Sequence, residues 1–506
     1  MRKLALVTAL AATSVAFPAL ALDSYNTFWL TRAVTAGKIH DHMERLDRIA
    51  DRNNGTRSLG TPGYAASVRY VVDRLKRAHY KVQVQPFIAN LFEEHTPPEL
   101  ERISPDPHVY DHEVDFLTME FSGAGNVTAE LALAQGIQIP PGPTPSSSSS
   151  GCDPNTFPVV TGKIVLIQRG TCTFEEKAAN AAAKGAVGVI IFNEGQPGRT
   201  DVLGGTLTNV QPIPVVGTTF TLGEELYNRV VIAQETVTMR VKVDATTTPV
   251  PTWNVLADKK GRTKDRDIVV GAHLDSVAEG PGINDNGSGT ATLLTIAEQM
   301  TYLHIKPRNT VRFAFWGAEE EGLIGSTYYV DNLSEQALAN IMLNLNFDMT
   351  GSPNFVRFVY DGSGDIGDPG PPGSETIEQV FLDYFERRNL ATDPTEFDGR
   401  SDYLAFILNG IPAGGLFSGA EGIKTPAQAA TYGGTAGAPY DPCYHQACDD
   451  IDNLSLRSLG QLGKAAAHAV LHFAMTREDI RPEAEVSARI ATAAASAEYR
   501  GPHLVR

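Results

Sequence analysis

The stretch DIVVGAHLDS (residues 267–276) decides the fold, together with two segments built in the same way, TVRFAFWGAEEEG (310–322) and IMLNLNFDMT (341–350). Each begins with an apolar run rich in β-branched or aromatic residues, which is typical of a buried strand, and ends in polar or acidic residues. Helical patterns over 288–302, 325–332 and 375–388 alternate with these strands. Such alternation predicts an α/β fold with a largely parallel sheet covered by helices on both faces.

Metal-binding residue types follow these strands directly. An open α/β sheet places its site at the carboxyl ends of its strands, so we expect these side chains to meet. Two imidazoles and three carboxylates suit a pair of divalent cations that share one carboxylate. A further acid, Glu319, can take the proton of a metal-bound water, which predicts a two-metal hydrolase. The candidate ligands are His273, Asp285, Glu320, Asp348 and His445.

Each of these residues also has a simpler interpretation. A single polar residue after a strand is more often a helix cap, and the acidic run 319–321 could be a solvated surface. The segment GINDNGSG (282–289) could be a glycine-rich turn, but it lacks the GK[ST] ending of a phosphate-binding loop. Asp275 lies two residues beyond His273, so it can accept the second imidazole N–H, or it is a surface acid.

Composition and the first residues indicate an exported protein. The formal charge of −17 leaves nothing to neutralise a phosphate backbone, so we expect no nucleic-acid partner. Arg2 and Lys3, an apolar run over 4–17 and Ala19-Leu20-Ala21 predict a signal peptide over 1–21. No later segment has about 20 uninterrupted apolar residues, so we expect no membrane span. The mature chain is predicted to be secreted, extracellular or periplasmic.

The four cysteines form two pairs that are close in sequence. Export into an oxidising compartment favours disulfides between Cys152 and Cys172 and between Cys443 and Cys448. Free buried thiols are the alternative, and the spacing does not suit a zinc-cysteine site.

The 506 residues exceed one ordinary core, and the texture of the chain changes along it. Residues 22–112 carry helical patterns over 39–50 and 63–79 and a strand over 80–87, followed by an irregular crossing over 93–115. Residues 113–245 have short strands, an alanine-rich helix and no ligand cluster, and their proline and serine run over 140–150 is predicted to be a flexible loop. A return crossing over 246–251 leads into the metal-site region, 246–476, and residues 477–506 form a tail that is either flexible or removable.

Six segments resemble, in family order, the secreted di-zinc aminopeptidases of leucine-aminopeptidase type. They are GAHLDS, GINDNGSG, FAFWGAEEEGLIGS, LNFDMTGSPN, DGRSDY and CYHQACDD. The segment KIVLIQRGTCTFEEKAANAAAKGAVGVIIFN (163–193) is similar to a protease-associated (PA) domain. The resemblance implies a zinc-exopeptidase α/β/α sandwich whose two parts, 22–112 and 246–476, are interrupted by a PA domain of mixed α and β structure over 113–245.

The resemblance also implies how the metal ligands are shared. Asp285 would bridge two zinc ions, His273 and Asp348 would complete the coordination of one, and Glu320 and His445 that of the other. Two Zn²⁺ per chain are therefore expected, while the residues neither require nor exclude Ca²⁺.

The same resemblance assigns the remaining roles. Glu319 would be the general base, and Tyr444 would donate a hydrogen bond to the oxyanion. Asp398, Gly399 and Arg400 would lie near the pocket for the free α-amine or the first side chain. The expected partners are peptides or proteins with a free N-terminus, the expected first residue is large and apolar, and a monomer is expected.

Other functions remain open at this point. A glutaminyl cyclase on the same scaffold would hold a single zinc. A metallocarboxypeptidase would need a cationic clamp for the terminal carboxylate, for which Arg400 is the sole candidate. A binding protein with a degenerate peptidase fold would have lost ligands or Glu319, and a serine hydrolase would need a G-x-S-x-G turn, which the sequence does not contain.

Overall fold

The computed structural model describes residues 26–144, 146–207 and 209–481. The predicted signal peptide and residues 482–506 of the predicted tail lie outside these described residues. Within them the helices are α1 Phe28–Ala33, α2 Ala36–Asp51, α3 Pro62–Arg77, α4 Phe174–Ala183, α5 Phe220–Val231, α6 Gly289–Tyr302, α7 Ile324–Asp331, α8 Glu335–Asn340, α9 Ser374–Glu386, α10 Tyr403–Leu408, α11 Pro426–Tyr432 and α12 Leu456–Met475. The strands are β1 Lys81–Ser104, β2 His108–Val109, β3 Phe116–Thr118, β4 Gly125–Leu133, β5 Ile164–Gln168, β6 Gly188–Phe192, β7 Val215–Thr218, β8 Thr238–Lys259, β9 Asp267–His273, β10 Thr310–Trp316, β11 Ile341–Phe347, β12 Phe358–Tyr360, β13 Asp393–Thr395 and β14 Ala413–Phe417.

Twelve of the described strands form one continuous path of hydrogen-bonded neighbours, in the order β13-β12-β14-β11-β9-β10-β8-β4-β5-β6-β7-β3, and β1 lies off this path, paired with β8 and β2. In the part that carries the candidate site, β9 pairs in parallel with β10 and β11, and β11 pairs in parallel with β14. In the inserted part, β4, β5, β6 and β7 are parallel to one another. The predicted α/β class with a mostly parallel sheet is confirmed.

Strand β10 shows why this sheet needs helices on both faces. Side chains of a strand alternate between its faces. Phe313 and Phe315 lie in the core shared with α2, α3, α6 and α12, whereas Trp316 lies in a second core on the opposite face. There it packs against Tyr329 of α7 and Phe406 of α10, with ring centroids 5.1 and 6.2 Å away. A strand buried on both faces is apolar at nearly every position, as the sequence of β10 is.

The inserted part has its own cores. In β5, Leu166 belongs to the core beneath α5, and Val165 and Ile167 belong to the core beneath α4. A disulfide between Cys152 and Cys172, with Cα atoms 5.7 Å apart, ties the preceding loop to the start of α4. This is the pair that the sequence predicts.

The two crossings between the parts differ from the prediction. They are not irregular segments but the middle of a two-stranded antiparallel ribbon in which β1 pairs with β8, for example Leu91 with Thr248 and Glu94 with Ala245. Residues 93–97 are exposed, so the ribbon here has no buried face and the sequence shows no apolar alternation. Hydrogen bonds between backbones, which no side-chain pattern records, hold this stretch together.

The serine run also differs from the prediction of a flexible loop. The backbone N–H groups of Ser146, Ser147 and Ser148 donate to the carboxylate of Glu194 over 2.8, 2.7 and 3.1 Å. Glu194 is fully buried and also accepts from Arg199 at 3.1 Å. A partner almost 50 residues away fixes the run, and composition alone does not reveal it.

The start of the predicted tail packs against the sheet. Arg266 donates to the carbonyl oxygen of Arg477 at 2.7 Å, and Arg481 donates to that of Ile341 at 2.7 Å. Residues 477–481 therefore belong to the peptidase part rather than to a free tail. Among the described helices, none combines the length and the apolar character needed to cross a bilayer.

Candidate active site

The parallel strands bring the candidate ligands to one edge of the sheet. His273 is the last residue of β9, Glu319 and Glu320 follow the end of β10, and Asp348 follows β11. Asp285 comes from a buried turn, Ile283–Ser288, that precedes α6. Because neighbouring parallel strands end side by side, residues separated by up to 75 positions meet here.

Asp285 stands at the centre of the cluster. Its Oδ1 lies 3.2 Å from Nε2 of His273, and its Oδ2 lies 3.2 Å from Nε2 of His445. Each carboxylate oxygen therefore faces a different imidazole, as a carboxylate shared by two cations would need to.

A second carboxylate accompanies each imidazole. Asp348 Oδ1 lies 3.3 Å from His273 Nε2, and Glu320 Oε2 lies 3.2 Å from His445 Nε2. We call the group of His273, Asp348 and Asp285 Oδ1 the first subsite, and the group of His445, Glu320 and Asp285 Oδ2 the second subsite. Both subsites present one nitrogen and two carboxylates, a donor set that zinc accepts.

Several buried polar atoms of the cluster have no hydrogen-bond partner within the described part of the chain. Among them are the carboxylate oxygens Glu320 Oε1 and Asp348 Oδ1. A buried carboxylate oxygen without a donor is costly unless a cation satisfies it. These orphaned acceptors, with the mixture of nitrogen and oxygen donors, fit a zinc centre.

The electrostatics of the cluster call for positive charge. Burial disfavours the charged form of His445, but Glu320 and Asp285 outweigh burial and raise its pKa to about 11. In the same way, burial opposes the charged form of His273 while Glu319 and Asp348 raise its pKa well above the usual value. Without cations, the carboxylates favour protonated, positively charged imidazoles. Bound cations would supply that positive charge instead.

Glu319 lies beside the ligands. Its Oε2 is 3.8 Å from Nε2 of His273, the longest of the imidazole–carboxylate distances around that nitrogen. Burial raises the pKa of Glu319 well above the usual value, and Glu320 adds to this, while His273 opposes it. A raised pKa makes a carboxylate a stronger proton acceptor, provided that it is ionised when the proton arrives.

Asp275 contacts the site differently from the expectation. Its Oδ1 lies 3.9 Å from Nδ1 of His273, too far for a hydrogen bond. The carboxylate instead accepts the backbone N–H groups of Glu319 and Glu320, each at 3.3 Å. In this arrangement Asp275 holds the segment that carries the two glutamates.

Tyr444 and His445 lie within a disulfide loop closed by Cys443 and Cys448, whose Cα atoms are 5.3 Å apart. This pair is also the one that the sequence predicts. The two rings stack, with centroids 3.8 Å apart. The short covalent loop limits the conformations of the two residues that face the site.

The segment 398–400 forms the rim of the adjoining pocket. Arg400 donates to Tyr444 Oη at 3.2 Å and to Glu421 Oε1 at 2.6 Å. Asp398 accepts a hydrogen bond from Tyr403 Oη at 2.7 Å, and the N–H of Gly399 donates to the same hydroxyl at 2.8 Å. All three predicted pocket residues thus line the cavity next to the metal cluster.

The sequence did not predict the apolar wall of this pocket. The residues of this wall come from separate strands and loops rather than from one segment of the sequence. Only the three-dimensional structure brings them together. The wall residues are Met349, Phe358, Tyr360, Phe417 and Tyr440.

The inserted domain also contributes to the pocket, although no ligand cluster occurs in its sequence. Thr206 lines the cavity, and a Cβ placed on Gly322 would lie 3.4 Å from its Cγ2. Thr206 Oγ1 donates to Glu120 at 2.7 Å, which fixes the side chain. A lone threonine in a loop gives no sequence signal for such a role.

Arg57 is a further residue that sequence patterns did not reveal. It is fully buried and donates to the carbonyl oxygens of Leu274, Pro281 and Gly282. It therefore supports the loop that connects His273 with Asp285.

Comparison with known proteins agrees with this geometry. The model of peptidase family M28 matches residues 254–470, and the model of the PA domain matches residues 127–226. The peptidase match contains all five candidate ligands, and the PA match lies inside the predicted insertion.

Curated relatives match most of the chain. An aminopeptidase of Pseudomonas aeruginosa is 46% identical over 440 residues, covering 85% of this chain and 79% of the relative. Leucine aminopeptidase 2 of Arthroderma otae is 37% identical over 457 residues, covering 86% of this chain and 84% of the relative.

Solved structures show the same fold. The aminopeptidase from Aneurinibacillus sp. strain AM-1 has a TM-score of 0.68 at 28% identity and covers 90% of this chain and 98% of its own. The zinc aminopeptidase BSAP from Bacillus subtilis has a TM-score of 0.53 at 26% identity and covers 88% of this chain and 99% of its own. From the site and these matches together, the chain belongs to peptidase family M28, a family of metallo-exopeptidases, and carries an inserted PA domain.

Proposed function

We propose that the protein is an exported aminopeptidase that hydrolyses the N-terminal peptide bond of peptides and proteins with two zinc ions. The observation that carries this proposal is Asp285, whose two oxygens each face an imidazole at 3.2 Å. The relatives named aminopeptidase and the BSAP structure, titled a zinc aminopeptidase, support the activity and the metal.

The residues divide the chemistry among themselves. Zinc ions held by the two subsites would lower the pKa of a bound water and polarise the scissile carbonyl. Glu319, buried beside the first subsite, accepts the proton of the attacking water and delivers it to the leaving amine. The hydroxyl of Tyr444 donates to the oxygen on which negative charge develops.

Arg400 orients that hydroxyl. A guanidinium can only donate, so its contact at 3.2 Å occupies a lone pair of Tyr444 Oη. The tyrosine proton is then directed away from Arg400 and is available to the substrate oxygen. Arg400 thereby acts at the pocket through Tyr444, while Glu421 holds it from the other side at 2.6 Å.

The pocket explains the expected substrate. Asp398 offers a carboxylate to a free α-ammonium group near the cluster, and the apolar wall described above suits a large apolar first side chain. Relatives named leucine aminopeptidase agree with this preference. We propose that the enzyme acts as a monomer on such peptides.

The export proposal rests on the sequence of residues 1–21 and on the two disulfides. The described residues contain no free cysteine, as expected for a chain that folds in an oxidising compartment.

The metallocarboxypeptidase alternative has less support, because Arg400, its only candidate clamp, already contacts Glu421 and Tyr444. The glutaminyl cyclase alternative needs one zinc, whereas the structure presents two subsites.

The deciding experiment compares a leucyl peptide, its Nα-acetylated form and its C-terminally amidated form as substrates of the zinc-loaded enzyme. Acetylation removes the ammonium group, so cleavage should cease, whereas amidation should leave the rate unchanged. Release of residues from the carboxyl end, or equal cleavage of the acetylated peptide, would refute the aminopeptidase proposal.

A further inference from the structure

The two halves of the second subsite come from distant parts of the chain. Asp285 belongs to the turn before α6, and His445 belongs to the disulfide loop about 160 residues later. Their facing atoms, Oδ2 and Nε2, are nevertheless held 3.2 Å apart. Something in the fold must fix the distance between these two segments.

Asp449, the residue directly after Cys448, makes that connection. Its side chain is buried, and its Oδ1 and Oδ2 accept the backbone N–H groups of Asn284 and Asp285, each at 2.9 Å. Its own carbonyl oxygen accepts the N–H of Ile283 at 2.9 Å. Three consecutive N–H groups, ending at Asp285 itself, thus bind one residue.

Asp441 repeats the pattern before the disulfide loop. Its Oδ2 accepts from Nδ2 of Asn284 at 2.6 Å, and its Oδ1 accepts from the N–H of Cys443 at 2.9 Å and from Asn453 at 2.8 Å. The loop that carries His445 is therefore attached to the Asp285 turn at both of its ends.

We propose that Asp449 is a positioning residue that sets the geometry of the second subsite by fixing the Asp285 turn to the loop of His445. This inference rests on the proposed two-metal function. The first subsite depends less on the attachment, since it shares only Asp285 with the attached segments, whereas His273 and Asp348 come from strand ends of the central sheet. Loss of Asp449 should therefore affect the two subsites unequally.

The substitution Asp449→Asn tests this proposal. An amide keeps the size but offers one acceptor oxygen, so one of the two N–H groups would face an NH₂ group. Residues that orient metal ligands typically contribute about 10- to 100-fold in metal affinity. We expect the affinity for the second zinc to fall by that factor and the affinity for the first zinc to fall less, because two segments of the second subsite but only one residue of the first depend on the attachment.

The measurement is calorimetric titration of metal-free full-length protein with Zn²⁺, supported by elemental analysis after dialysis. Asp450→Asn is the matched control, because Asp450 Oδ1 accepts from the N–H of Asp452 at 2.9 Å and not from the Asp285 turn. Asp449→Glu keeps both oxygens and the charge but displaces them by one methylene, and it should weaken the same binding step to a smaller extent.

The possible outcomes separate the two proposals. If wild type binds two zinc ions and Asp449→Asn binds both as tightly, the positioning role is wrong while the two-metal site stands. Equal weakening of both steps, the same effect in Asp450→Asn, or failure of both Asp449 variants to fold would show a general structural role and overturn the inference. One zinc in wild type would refute the second subsite itself.

Discussion

The neighbours Glu319 and Glu320 have different surroundings, and we expect them to have different tasks. Glu320 Oε2 lies 3.2 Å from the His445 nitrogen, within the second subsite, whereas Glu319 lies 3.8 Å from that of His273. Both are nevertheless close enough to the imidazoles to belong to groups that could hold a metal ion. Substitution distinguishes a ligand from a base more directly than distance does.

We expect Glu319→Gln to retain two zinc ions while kcat falls by roughly 10²- to 10⁴-fold, since the amide cannot accept the proton. Glu320→Gln removes an anionic ligand and should lower zinc stoichiometry. Parallel metal analysis and steady-state kinetics check both. If Glu319→Gln lost a zinc and Glu320→Gln kept both, the roles would be exchanged; full activity in either variant would contradict the mechanism.

Arg400 and Tyr444 should behave as one unit. Removing a donor to a developing oxyanion typically costs about 10²- to 10³-fold in kcat, so Tyr444→Phe should fall in that range. Arg400→Met should lower kcat less, and in the Tyr444→Phe background it should have little further effect. Coupling energies of contacting residues are about 0.5–3 kcal/mol, which a double-mutant cycle resolves. Additive effects with a raised KM would instead indicate that Arg400 contacts the substrate.

That the candidate ligands meet could be predicted from the sequence, because most of them follow a strand or a recognisable turn, and parallel strands end together. The supporting residues could not. Arg57 and Asp449 bind backbone carbonyl and N–H groups, so neither needs a particular side chain as its partner, and no pairwise pattern marks them. Thr206 reaches the site only because the inserted domain packs over it.

At the scale of elements, helix α4 contains a buried lysine. Lys177 is fully buried, and its Nζ donates to the carbonyl oxygen of Ser150 at 2.5 Å. Burial lowers the pKa of Lys177 to about 7, although Glu194 opposes the shift. An unfolded lysine has a pKa of about 10.4. Between roughly pH 7 and 10 the unfolded chain therefore holds the extra proton, and stability rises with pH over this window.

Lys177→Met should remove most of this dependence. A gap of about three pKa units corresponds to a free energy on the order of 4 kcal/mol, which is an upper bound on the effect. Denaturant titrations at several pH values between 7 and 9 measure the free energy of unfolding of the inserted domain. We expect this free energy to rise with pH in the wild type and to change less with pH in the variant. The exposed Lys184→Met, at the end of the same helix, is the control and should keep the wild-type slope.

Helices and strands with at least one buried face can be predicted from the sequence, because burial imposes a periodic apolar pattern on their side chains. Strands β10 and β11 have the predicted bounds, and α2 and α3 differ from prediction by a few residues at most. The middle of the β1–β8 ribbon cannot be predicted in this way, because strands exposed on both faces need no alternation of apolar and polar side chains. The same reasoning explains the serine run, whose order depends on the distant Glu194.

At the scale of the whole molecule, the peptidase domain and the inserted domain have separate cores, and within the described residues the groups that could hold a metal ion lie in the peptidase domain. Chelation should therefore destabilise one domain selectively. A ligand at 1,000 times its Kd contributes about 4 kcal/mol to stability. Differential scanning calorimetry should show a lower transition temperature for the peptidase domain after chelation and an unchanged one for the inserted domain. A uniform shift of both transitions would show that the domains unfold as one unit.

The ribbon of β1 and β8 determines which relative movements the two domains can make. Sliding one strand along the other would break the whole ladder at once and turn every side chain to the opposite face. Bending or twisting the exposed stretch at 93–97 keeps the ladder intact. A change in the tilt of the inserted domain would therefore alter how closely Thr206 approaches Gly322 at the pocket, whereas a shift along the strands would not be tolerated.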